Sequence, residues 1–127
     1  VPIAKHHSLA RLTLAAKNLL GVILNRNKIH ANLGQRIADL VSVIRPALTV
    51  VDAVQILMTN GPTGGSLDDV RVMNTVIASH DIVAADAYAA TLFGLTGQEI
   101  AYIKAAADMN LGTLDLRTIH IEEISVS

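Results

Sequence analysis

The residues able to do chemistry fall in a few short blocks. Lys5-His6-His7 puts one ammonium and two imidazoles in a row just after an apolar start, Val1-Pro2-Ile3-Ala4. A lysine at a strand end, followed by the exposed N–H groups of a helix start, suits a carboxylate or phosphate. Histidines there could instead bind a metal or move a proton. Adjacent residues leaving a strand diverge, so one of His6 and His7 is expected to face a site, with a packing role as the plain alternative. Lys17-Asn18, late in a following helix, would contact the glycine-rich stretch at 59–65, or lie on a solvated helix face.

Three carboxylates add to this set. Asp52 interrupts the β-like run Leu48-Thr49-Val50-Val51-Asp52-Ala53-Val54, and Asp86 lies in Ala84-Ala85-Asp86-Ala87. A carboxylate buried in such surroundings needs a partner or a shifted pKa. Asp52 with Lys5 or His7 could form an acid/base pair. Asp81, beside His80, is well placed to cap a helix. The plain reading has all three bonded to backbone N–H groups.

Between these blocks runs Thr59-Asn60-Gly61-Pro62-Thr63-Gly64-Gly65. Its glycines permit positive φ and close approach of a ligand or another chain segment. Open α/β sheets place their ligands in loops beyond strand ends. The loop has neither the Lys-Ser/Thr ending of a Walker A motif nor a G-x-G-x-x-G, so neither nucleotide motif is present. Its free N–H groups could still cradle an anion, or it could be a structural turn between two strands. There is no H-x-H or H-E-x-x-H spacing, so a metal site would have to assemble from distant positions.

Composition narrows the classes. The chain has 127 residues, enough for a single domain with a modest core. Apolar residues make up 51% and charged residues 17%, which excludes a disordered composition. A net charge of -1 gives no electrostatic case for nucleic acid. No apolar run reaches the roughly 18 residues of a membrane span, so no membrane partner is expected. Without cysteine, this segment cannot itself ligate an iron–sulfur cluster. A soluble, cytoplasmic setting is favoured, although lack of cysteine does not fix a compartment. Val1-Pro2 reads as a strand already under way with no initiator Met, so a fragment of a longer protein is expected, with edges that need a partner. The apolar composition favours a homo-oligomer.

The elements expected to hold these residues follow from periodicity. Residues 1–4 read as a buried strand. Leu9, Leu12, Ala16, Leu19 and Leu20 predict a helix over 9–20. Asn32 would cap a second helix carrying Leu33, Ile37, Leu40, Val41 and Ile44 on one face, with Arg36 paired to Asp39 and Pro46 as its stop. Strands are expected at 48–54 and 74–78, with a turn at 67–71. A small-residue helix from Ile82 would stop at Gly94, and Thr96-Gly97-Gln98-Glu99 fits a capping box opening another. Thr118-Ile119-His120-Ile121-Glu122 alternates as a last strand. The expected fold is a single α/β domain over 1–127, a mainly parallel sheet with helices packed on it, in the order β-α-α-β-β-α-α-β.

Taken together, Lys5-His6-His7, Thr13, Lys17 to Gly21, Val50-Val51-Asp52, Asn60 to Gly65 and Asp81 to Asp86 make the chain resemble the domain of unknown function 362 family, in its C-terminal part and over essentially the whole chain. Members often have Lys-Thr-His at the first block, so His7 corresponds to the family histidine and His6 departs from it. Some members carry ferredoxin-like segments and some begin with a twin-arginine signal. Neither feature transfers to this cysteine-free chain, and the resemblance implies no reaction.

These readings converge on a pocket for a small anionic ligand or cofactor. Lys5, His7 and Lys17 would supply positive or proton-donating groups. Asn18, Asn60, Thr63 and the backbone of Gly61, Gly64 and Gly65 would orient the ligand. Asp52 and Asp86 would fix the loop or take protons, and Asp81 completes the set. The alternatives are a metal-dependent or redox-linked enzyme domain, and a self-association module without catalytic activity.

Overall fold

The computed structural model describes residues 1–127. Its sheet has four strands: β1 (Ile3–His7), β2 (Arg11–Thr13), β3 (Thr49–Leu57) and β4 (Val70–Ser79), in the spatial order β2-β1-β3-β4. β1 and β3 are parallel, with Ile3 opposite Asp52 and Lys5 opposite Leu57. β2 is antiparallel to β1, and β4 antiparallel to β3 from Thr49↔Ser79 to Leu57↔Val70. The fold is therefore mixed α/β, and the expectation of a mainly parallel sheet is corrected. A parallel return needs a long crossover. Helices α1 (Ala15–Asn18) and α2 (Leu33–Ile44) supply one between β1 and β3. Between β3 and β4 there is only a loop and the 3-10 turn Leu67–Asp69, so those strands meet as a long hairpin.

Two further elements differ from the periodic reading. Residues 9–20 are not one helix: the chain reverses at Arg11, whose φ is 65°, and pairs back on β1 as β2 before the short α1. The His7 imidazole drives this turn, its Nδ1 accepting from the N–H groups of Leu9 and Ala10, both at 3.1 Å. Leu12 and Leu14 are thereby sent into the core. The expected last strand is absent too. Only the 3-10 turn Leu116–Thr118 forms, and residues 119–127 run without regular structure because they find no ladder partner.

The longer helices keep close to their expected bounds. α2 buries Ile37, Ala38 and Val41. Asn32 precedes it at φ 57° without a side-chain cap, and Asp39 accepts from Gln35 Nε2 at 2.9 Å rather than pairing with Arg36. α3 (Ile82–Thr91) starts where Asp81 accepts from Ala84 N–H, and its small residues let it sink against β3, β4 and α1. The capping box of Thr96 and Glu99 forms ahead of α4 (Ala101–Asp108), which packs on α2.

All the long helices lie on one side of the sheet, over Ala4, Val51, Ala53 and Ile56. On the other side Ile3, Asp52 and Val76 form one cross-strand row. Ile3 and Val76 are 54% and 63% exposed, so this face is bare.

Candidate functional site

Because β1 and β3 run parallel, their C-terminal ends meet, and Lys5-His6-His7 lies beside Leu57 and the glycine loop that follows. β4 runs the other way, so Ser79-His80-Asp81 is at the far end of the sheet.

The loop is tied to β1 through His6, whose Nδ1 accepts from Gly61 N–H at 3.1 Å. It is closed on itself by Asp69. That carboxylate accepts from Thr59 Oγ1 at 2.8 Å, Asn60 Nδ2 at 3.1 Å and Ser66 N–H at 2.9 Å. The Ser66 N–H first, then the Asn60 and Thr59 side chains, hold Asp69 below the usual carboxylate range. Gly65 sits at φ 92° where the chain turns back towards it, a conformation glycine adopts without strain.

Since Nδ1 of both histidines is an acceptor, both present Nε2–H outward. Burial pushes His7 down, and the nearby Lys17, His6, His30 and Lys5 push it the same way. Burial and then Lys5 also lower Lys17. Neither lysine is within ion-pair distance of a carboxylate; the ion pairs are Lys104–Asp108 and Arg117–Asp115, far along the chain. Lys5, His7 and Lys17 thus form a part-buried basic group without a counter-charge.

The other predicted residues are distributed differently. Asp86 is fully buried in α3, where Oδ1 accepts from Ala15 N–H at 2.8 Å and Oδ2 from Ala16 N–H at 2.9 Å. It holds the start of the short helix that carries Lys17. Asp81 spends its oxygens on Ala84 N–H and on Thr113 N–H at 2.8 Å. Asp52 lies on the bare face of the sheet, its Oδ1 accepting from Val54 N–H at 3.0 Å. Asn18, Asn60, Thr63, Gly64 and Gly65 are exposed, and Gly61 is half-buried. No three His, Asp or Glu side chains converge as a metal site would require.

A family model described as a domain of unknown function (DUF362) matches residues 1–91. The chain belongs to that family. The DUF362 match contains every block named for the resemblance, from Lys5 to Asp86, but stops short of the whole-chain coverage expected. No curated protein and no solved structure gives a significant match.

Within this DUF362 chain, sequence reasoning missed three contributors. Asp69 had a signal, since Ser66-Leu67-Asp68-Asp69 is a capping-box pattern and the box forms. His6, set aside as the departure from the family pattern, is the loop's anchor. His30, in the polar stretch before α2, comes near enough to act on His7. A wider concavity, about 770 Å³, lies elsewhere, between β4, α3 and residues 119–126. There Tyr88 OH donates to Glu123 at 2.7 Å, and no lysine or arginine lines the space. No helix is long and apolar enough to cross a membrane.

Proposed function

We propose that this DUF362 domain binds a small anion where β1 ends against the glycine loop. Lys5 and Lys17 supply charge, His7 donates from Nε2–H, and Asn60 with the backbone around Gly61 and Gly64 borders the ligand. The observation carrying the reading is the unpaired, part-buried Lys17 beside Lys5 and His7. Clustering like charges and removing them from water is unfavourable, and a bound anion reverses both costs. Asp86 acts at one remove, by fixing the first turn of α1. Asp81 and Asp52 have no part in the contact.

The test is an NMR titration of the His7 imidazole with and without inorganic phosphate. A bound anion favours the charged imidazole, so the titration midpoint should rise on adding phosphate. Lys17→Gln should weaken phosphate binding by about tenfold, the worth of one charge-assisted hydrogen bond. An unmoved midpoint, or a Lys17→Gln affinity equal to wild type, removes the reading.

A second reading concerns assembly. Only 26 of 127 residues are buried although half the chain is apolar, and the exposed row through Ile3 and Val76 runs across the bare sheet face. We infer that a second copy covers this face. Sedimentation should give a dimer or larger species for the wild-type chain, and Val76→Lys should shift it to monomer. A monomeric wild type at high concentration would dismiss it.

A further inference from the structure

The anion site, on which this inference rests, accounts for the charges but not for what adjoins them. A shallow cleft of about 200 Å³ opens beside His6 and His7, with Arg11 on its polar side and Met58, Phe93 and Leu95 on its apolar side. Those three apolar residues pack on the core but remain half-buried. Phe93 is the only phenylalanine in a chain with two tyrosines and no tryptophan, and it lines this cleft. A bare inorganic anion would use the basic side alone and leave the apolar side wet.

Arg11 reinforces the division. Its guanidinium donates through one Nη to the Glu99 carbonyl at 3.3 Å, which holds the side chain across to the segment leading into α4. Its other N–H groups make no bond within the chain. His6 has Nδ1 committed to Gly61 and so presents a single donor.

We propose that the ligand is an aryl anion, such as an aromatic phosphate monoester. Its anionic group meets Lys5, Lys17 and His7. Its ring lies along Met58, Phe93 and Leu95, with Arg11 and His6 at the edges. A ring offset-stacked or edge-on to Phe93 satisfies the geometry aromatic pairs prefer.

The experiment compares methyl phosphate with phenyl phosphate by calorimetry, since the two carry nearly the same charge and differ in the apolar group. Burying one face of a phenyl ring should make phenyl phosphate bind about tenfold tighter. Phe93→Ala should erase that preference and leave methyl phosphate affinity unchanged. Leu95→Thr, a milder change, should reduce the preference and guards against a Phe93→Ala chain that fails to fold. Equal affinity for the two esters on the wild-type chain overturns this proposal while the anion site stands. Binding of neither overturns both. A phenyl preference that survives both substitutions places the ring elsewhere and also overturns it.

Discussion

Replacing Asp86 by alanine is expected to cost the fold about 3 kcal/mol and lower Tm by about 10 °C at pH 5. The carboxylate is fully buried and is the acceptor for the N–H groups of both Ala15 and Ala16. Alanine leaves two donors in the core without partners. The short helix they begin has only four residues and cannot hold itself in place. Tyr102, whose hydroxyl donates to the Leu12 carbonyl at 3.1 Å, is the nearest buried polar support, and it holds β2 rather than α1.

The same group makes stability depend on pH. Burial pushes Asp86 up from 3.8 to about 7, and the two N–H donors offset only part of that. Between those values the folded chain keeps a proton that the unfolded chain has released. This contribution to stability therefore falls as pH rises from 3.8 to about 7 and is flat above. Asp86→Ala has no such slope, so its deficit against wild type should be larger at pH 5 than at pH 8. Asp86→Asn, which keeps one acceptor and no charge, should lie between. Urea unfolding of the three chains at both pH values decides the matter, and parallel profiles for wild type and Asp86→Ala would remove Asp86 as the titrating group.

Where the fold was legible in the sequence, a local signal and its tertiary setting agreed. Leu33, Ile37 and Val41 give α2 a stripe that only a helix can bury on one side, and Asp81 caps α3 as its position indicates. Ala84-Ala85-Asp86-Ala87 marked a buried carboxylate because no residue there is large enough to hold it away from the core. Residues 9–20 misled because Leu9, Leu12 and Leu19 fit a helix face, while the turn that breaks it depends on a side chain, His7, outside the segment. Thr118 to Glu122 alternate as a strand should, but alternation cannot supply a neighbour. The sheet's direction was not legible: strands at 48–54 and 74–78 leave room for a crossover, and only the extension of β3 to Leu57 and of β4 back to Val70 turns that stretch into a hairpin.

The site was legible as types rather than as contacts. Lys5, His7 and Lys17 lie near enough to act on one another's charge, because the parallel pairing of β1 and β3 and the packing of α1 bring them towards one end of the sheet. Asp81 could not be placed without knowing that β4 is antiparallel, which sends it to the opposite end. Asp52 alternates with the core-facing Val51 and Ala53, so its strand position alone puts it on the other face.

Gly61→Ala carries the other large effect, because the glycine is where the loop and β1 touch. A methyl group there would overlap the His6 carbonyl oxygen and come within 3.0 Å of Leu57 Cδ2. The backbone oxygen belongs to β1 and cannot move without disturbing its pairing, so the loop must lift away. Lifting breaks the Gly61 N–H bond to His6 Nδ1 and withdraws the loop backbone from Lys5 and His7. The expected cost is about 2–3 kcal/mol of stability, in the range for overpacking a tight contact, together with loss of measurable phosphate binding. His6→Ala separates the two causes: it removes the hydrogen bond but leaves the carbonyl, and should cost only about 1 kcal/mol. Gly21→Ala is the control, since nothing lies within 4 Å of the added methyl group and its stability should stay close to wild type. If Gly61→Ala unfolds at the same urea concentration as Gly21→Ala, the loop does not press on β1. Loss of binding with stability retained would instead mean that the loop backbone serves the ligand more than the fold.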